Sequence, residues 1–176
     1  TLSFKLLAIA SQIYVTDSSG HLIGYVKQKL FKLKEAITMF EKSLEIHGRI
    51  YSPTHIHLAW PYNNIAIVYQ HLKQYAKALS YHIKALEIRQ HSLPIDHPDL
   101  ACSYNNIGIL YAQIKEYDNA LPHFAKAHEI KQRRLPANHP DLAYSYVNIG
   151  SVYAYKEEYS KALAYHEKAY EIFQRI

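Results

Sequence analysis

The sequence predicts an all-α solenoid of helix-turn-helix repeats, and three observations carry that prediction. A block of residues recurs every 42 positions, each recurrence holds two segments with helical spacing of apolar residues, and no strand-like alternation of apolar and polar residues appears anywhere. His97-Pro98-Asp99-Leu100-Ala101 returns 42 residues later as His139-Pro140-Asp141-Leu142-Ala143, and the same interval upstream holds His55-Ile56-His57-Leu58-Ala59. Asn106-Ile107-Gly108 likewise matches Asn148-Ile149-Gly150 and Asn64-Ile65-Ala66, while Ala36, Ala78, Ala120 and Ala162 keep one register. Residues 97–134 and 139–176 share 22 identities in 38 positions, far beyond chance.

The units run over about 17–58, 59–100, 101–142 and 143–176. Residues 1–16 carry Phe4, Leu7, Ala8, Ile13 and Tyr14 at helical spacing, which fits either a cap on the array or a damaged remnant of an earlier unit. The first unit is degenerate: it keeps Ile23-Gly24, Ala36 and Phe40 but has Lys27 where its successors have Tyr. Within a complete unit, a first helix is expected from about Pro98 to Lys115, with Tyr104, Ile107, Gly108 and Tyr111 on one face. A second is expected from about Tyr117 to Arg134, with Ala120, Phe124, Ala127 and Ile130. Leu93-Pro94 and Leu135-Pro136 close the second helices, and Pro98 and Pro140 open the next first helices, where a missing N–H is harmless. Gly108 and Ala120 are expected to face each other and let the two backbones approach. A single hairpin cannot bury its apolar face and must stack on its neighbours.

Composition bounds the function. No apolar run approaches the roughly 20 residues that span a bilayer, so no membrane association is expected. The segment Thr1-Leu2-Ser3-Phe4-Lys5 has neither the basic leader nor the cleavage pattern of a secretory signal, and the lack of an initial Met suggests a piece of a longer chain. A single cysteine, Cys102, excludes an intramolecular disulfide framework and suggests a cytoplasmic home. The formal charge of +5 comes from 20 basic and 15 acidic residues scattered without a Lys/Arg block, so nucleic acid is not an expected partner.

Tyr104-x2-Ile107-Gly108-x2-Tyr111 followed by Ala120-x3-Phe124 resembles the tetratricopeptide pattern of an aromatic, Leu-Gly and Tyr, then Ala-x3-Phe. Tyr146, Ile149, Gly150, Tyr153 and Ala162 repeat it, and Tyr62, Ile65, Ala66, Tyr69 and Ala78 repeat it with Ala for Gly; His82 and His166 depart from the expected Phe. The usual repeat has about 34 residues. The longer variant, with its Leu-Pro-x-x-His-Pro linker, is similar to the repeats of kinesin light chain. The resemblance covers about 17–176 and implies a right-handed α-α superhelix whose first helices line a concave groove for extended peptides.

The resemblance also implies that the Asn before each Ile-Gly pair faces the groove and holds the ligand backbone: Asn64, Asn106 and Asn148 here. Their neighbours Asn63 and Asn105 are expected either to join that contact or to bridge adjacent repeats. Side-chain specificity is expected near Trp60, His71, Ile109, Ser151 and Tyr155, with Tyr144 beside them. Trp60, Tyr144, Tyr25 and Tyr155 read equally as groove contacts or as packing between repeats. Relatives that hold chaperone C-terminal carboxylates carry Lys or Arg where this chain has Trp60, Cys102 and Tyr144, so an apolar or aromatic ligand fits better.

No catalytic residue, metal site or cofactor is expected. The chain lacks a Gly-rich phosphate loop, HExxH and G-x-S-x-G. Glu45, Glu87, Glu129 and Glu171 are repeat-equivalent and read as a solvated or structural stripe, Cys102 as a half-buried small residue, and His55-x-His57 as no metal site by itself. The expected function is a protein-interaction scaffold. The alternative is a structural or oligomerisation segment of a larger protein, which would show as self-association.

Overall fold

The computed structural model describes residues 21–175, with side chains from Phe31 onward. The segment 1–16 and the side chain of Tyr25 lie outside the described residues. In chain order the elements are α1 (His21–Ile50), a 3-10 turn (Ile56–Leu58), α2 (Ala59–His71), α3 (Tyr75–Ser92), α4 (Pro98–Gln113), α5 (Tyr117–Arg134), α6 (Pro140–Tyr155) and α7 (Tyr159–Phe173). The pairs α2/α3, α4/α5 and α6/α7 are antiparallel hairpins, and each packs on its neighbour in the chain, so contacts run along the array as in a solenoid.

Each hairpin turns at one residue in the left-handed region: Lys73 (φ 58°), Lys115 (φ 64°) and Glu157 (φ 62°). Around them the backbone closes a Schellman motif. Gln74 N–H donates to Tyr69 C=O, Glu116 to Tyr111 and Glu158 to Tyr153, each at 2.9 Å. The equivalent position in the first unit is Phe31, and a bulky ring is poorly tolerated in that conformation. There the chain does not turn, and residues 21–50 form one helix where later units have a hairpin. The described part of 17–58 is thus a single helix and a 3-10 turn.

The linkers are built by histidine. His97 and His139 cap α4 and α6: each Nδ1 accepts from the backbone N–H of Asp99 or Asp141 at 3.1 Å, with proline following at the first helical position. His55 does the same for the 3-10 turn, accepting from His57 N–H at 3.3 Å.

In the α4/α5 and α6/α7 hairpins the small residue of the first helix lies directly against a ring of the second. A Cβ on Gly108 would lie 2.9 Å from the Phe124 ring, and one on Gly150 would lie 3.0 Å from the His166 ring. Ala120 is fully buried in a cluster with Phe124, Ile149 and Val152, so it serves the joint to α6 as well as its own hairpin. The ring one turn beyond the small alanine makes the contact, because on a helix residues four apart share a face.

Two joints between hairpins are closed by polar groups. Buried Arg89 donates to Ser103 Oγ at 2.6 Å. At the equivalent serine, Ser145 Oγ donates to Leu142 C=O at 2.7 Å and lies 2.5 Å from buried His128 Nδ1. The one hydroxyl proton is committed to the carbonyl, so Nδ1 of His128 must be the protonated nitrogen. His82 has no such partner. It is 1% exposed, and neither ring nitrogen is hydrogen-bonded. Burial, then the nearby Arg89 charge, pushes its pKa down to about 4.

Two outcomes follow. Gly108→Ala should destabilise the array by about 1–3 kcal/mol through overpacking against Phe124. Adding Phe124→His, which recreates the natural Ala66/His82 pairing, should restore most of the loss in thermal or urea denaturation. For His82, the native state favours the neutral ring, so its contribution is intact above pH 6.5 and is lost as pH falls from 6.5 through about 4. The loss amounts to about 3 kcal/mol. The double variant Ala66→Gly/His82→Phe should show a correspondingly flatter fall in stability over that window.

Candidate functional site

Along the side of the array formed by the first helices, amide side chains join one unit to the next. Asn106 Nδ2 donates to Asn63 Oδ1 at 3.1 Å, and Asn148 Nδ2 donates to Asn105 Oδ1 at 2.9 Å. Gln70 Nε2 donates to Gln113 Oε1 at 2.8 Å near the other end of the same helices. Each pair spans 43 residues, one repeat plus one position. The adjacent Asn-Asn residues of one helix therefore serve two different neighbours. Asn64 begins the series, and its buried Nδ2 has no hydrogen-bond partner among the described residues.

Each rung consumes one donor and one acceptor of two half-buried amides. Asn63 and Asn105 keep their Nδ2 groups, and Asn106 and Asn148 keep their Oδ1 atoms, for other use. The bridging role and a ligand-holding role are chemically compatible.

Between α4 and α6 the same side opens into a cleft of about 360 Å³. Ile109, Ala112, Tyr117, Phe124, Val152 and Tyr155 give it apolar walls, and Gln113, Asn148 and Ser151 supply polar groups. Tyr117 and Tyr155 stack nearly parallel, with centroids 5.7 Å apart and planes 5° apart, and most of the Tyr155 ring is exposed. Lys156 at the adjoining turn is tied to Asp118 at 2.6 Å and Glu158 at 3.2 Å. Hydrogen bonds from these two carboxylates, Asp118 first, hold its pKa above the usual lysine value.

The cleft brings together Ile109, Asn148, Ser151 and Tyr155 of the expected residues. The others are spread along the array. Trp60 is exposed and meets Phe40 of α1 edge-on at 5.6 Å, so its ring serves both packing and surface. Tyr144 is also exposed, edge-on to Phe173 at 5.5 Å, and His71 is exposed at the end of α2. Cys102, expected to be half-buried, is exposed. Tyr117, Gln70 and Gln113 were not among the expected site residues. Tyr75, Tyr117 and Tyr159 recur at 42-residue spacing, and that recurrence was the available signal.

Elsewhere the surface is solvated. Glu45, Glu87, Glu129 and Glu171 are all exposed, and Glu45 and Glu129 pair with Arg49 and Arg133 one turn on. Lys84, Lys126 and Lys168 lie over the rings of Tyr62, Tyr104 and Tyr146 at 5.7, 5.2 and 5.7 Å. No group of three His, Cys, Asp or Glu that could hold a metal occurs among the described residues, and no described helix is long and apolar enough to cross a membrane.

The family model for the tetratricopeptide repeat matches residues 15–91, 57–133 and 99–175. No curated protein matches the sequence. Among solved structures, BtubC (BKLC) from P. vanneervenii superposes with a TM-score of 0.76 at 25% identity, over 88% of this chain and 61% of that one. A Podosopora anserina protein of nearly identical, kinesin light chain-type TPR-like repeats gives 0.74 at 17% identity, over 88% and 73%, and shows the fold alone. The apo form of RapI gives 0.68 at 28% identity, over 86% of this chain and 40% of that one. The chain therefore spans less than two thirds of BtubC and of RapI.

The rungs can be tested directly. Asn106→Ala removes the hydrogen bond to Asn63 and should lower stability by about 0.5–1.5 kcal/mol without loss of helicity. Asn64→Ala, whose Nδ2 makes no bond, should be neutral or slightly stabilising, since Ala is the better helix former. Circular dichroism melts of the two variants side by side provide the comparison.

Proposed function

Because the chain belongs to the tetratricopeptide repeat family, we propose that it is a protein-interaction scaffold that holds an extended peptide of a partner along its first helices. The observation that carries this reading is the α4/α6 cleft, which sets an apolar recess beside an amide rung with hydrogen-bonding capacity to spare. Asn105 Nδ2 and Asn148 Oδ1 supply one donor and one acceptor, which an extended backbone can meet with its own C=O and N–H. An aliphatic or aromatic side chain of the peptide enters the recess against Tyr155 and Ile109, and Ser151 offers a hydroxyl at its edge. Trp60, Tyr144, His71 and the Asn63–Asn106 rung extend the same track over neighbouring units. Lys156 beside the recess is held by Asp118 and Glu158, while Lys115 lines the recess and supplies it with a cation at the hairpin turn. The unit boundaries of 17–58, 59–100, 101–142 and 143–176, a cytoplasmic location and a non-catalytic role without cofactor belong to this reading. It is favoured by a lone cysteine and by a cleft without a nucleophile–base pair.

Selection of peptides from a random displayed library against the intact chain tests the assignment. Enriched sequences should carry one large apolar anchor. Their affinity should fall about tenfold for Tyr155→Ala, in the range of a modest anchor contact. It should fall several-fold for Asn148→Ala. Binding that is indifferent to both substitutions places the ligand elsewhere and removes the cleft from consideration.

A further inference from the structure

We propose that the recess at the 93–97 linker is a second docking site, for an acidic segment of a partner protein that carries one aliphatic side chain among its carboxylates. The recess measures about 390 Å³ and lies where the end of α3, the start of α4 and the last turns of α5 meet. Leu93, Leu100, Ile130 and the ring of Tyr104 make its apolar part, and Ile95 stands at its rim. It shares no lining residue with the α4/α6 cleft, and the two lie about 14 Å apart along α4. Nothing in the linker fold requires a large apolar residue at Ile95, since the next linker has Ala137 there and the earlier one Pro53. With Ala137 the backbone closes as it does with Ile95. Leu93 N–H donates to Arg89 C=O and His97 N–H to Pro94 C=O, just as Leu135 donates to Lys131 and His139 to Pro136, all at 2.9 Å. Ile95 is nevertheless 78% exposed, more than any other large apolar side chain among the described residues. With the floor of the recess it forms one apolar patch, the kind of surface that a partner covers.

The charges around the recess select the partner. Lys126 and Arg133 line it with one carboxylate, Glu129, which Arg133 already holds in a salt bridge. Lys126 is in no ion pair among the described residues, and its ammonium lies 5.2 Å from the centre of the Tyr104 ring. The last turn of α5 adds Lys131 and Arg134, of which only Arg134 meets a carboxylate, Asp96 at 3.3 Å. The unmatched charge is positive, so the complementary occupant is acidic. One face of Tyr104 is taken by Lys126 and the other walls are aliphatic, which suits Leu, Ile or Val better than a ring. Gln90 Nε2 donates to the Tyr104 hydroxyl at 2.8 Å, so this wall is held in place before a ligand arrives.

A displayed random peptide library, selected against the intact Tyr155→Ala chain so that the α4/α6 cleft is impaired, tests this second site apart from the first. It should enrich sequences with Asp or Glu around one Leu, Ile or Val. These peptides should bind the wild-type chain as tightly as Tyr155→Ala, and their affinity should fall several-fold as salt rises from about 50 to about 300 mM. Lys126→Glu and Ile95→Ser should each lower it about tenfold. Both side chains are exposed, so the circular dichroism spectrum should stay unchanged. Lys84→Glu, the same change of charge one unit earlier, should leave binding as it was. No enrichment, enriched peptides without net negative charge, indifference to Ile95→Ser, or an equal loss with Lys84→Glu overturns the proposal.

Discussion

Everything in this array hangs on how closely two helices of one hairpin can approach. One small residue on the first helix meets one ring on the second: Gly108 against Phe124, and Gly150 against His166. In the α2/α3 hairpin the corresponding pair is Ala66 and His82. The extra methyl stands against the smaller ring there, whereas Gly150 keeps a glycine against the same kind of ring. The separation of the two helices in turn sets where the first helices lie, and so whether amides 43 residues apart can reach each other. The amide-lined face is therefore a consequence of packing well beneath it.

Much of this was legible beforehand because repetition multiplies weak signals. Apolar spacing, the paired prolines and the recurrent His-Pro-Asp located the starts of α4 and α6 at Pro98 and Pro140, and those of α5 near Tyr117. What escaped was the kind of fact that depends on geometry between copies. The shared register of Asn64, Asn106 and Asn148 suggested one row of equal groups. In the folded chain the stagger between neighbouring helices joins Asn106 to Asn63 and Asn148 to Asn105. That the Phe124 ring lies directly against Gly108 escaped as well, since periodicity gives a face but not its height. The first unit reads as a repeat from Ala36 and Phe40, yet the turn that makes a hairpin depends on a left-handed residue. Phe31 sits there, and no apolar pattern reports on that requirement.

Equivalent joints are not equally made. The α3/α4 joint encloses a charged Arg89 bonded to Ser103, and the unbonded ring of His82 is buried in the hairpin that leads into it, whereas the α5/α6 joint uses neutral His128 with Ser145. A buried cation and an unsatisfied imidazole make the first of these the more strained in polar terms. In a linear array, where each unit is stabilised chiefly by its neighbours, such a joint is the natural place for the two halves to part.

The amide rungs also give the array a grammatical direction. In both asparagine rungs the later unit donates and the earlier unit accepts. What remains unspoken is consequently sorted: spare N–H groups on the earlier member of each rung, spare oxygens on the later one. A strip whose loose ends alternate in this order is not the same read forwards and backwards. An extended chain has its own polarity of C=O and N–H, so its two orientations would meet this strip in different registers. A scaffold with no sequence-reading contacts at all along its backbone track could still fix which end of its guest points toward which of its own ends.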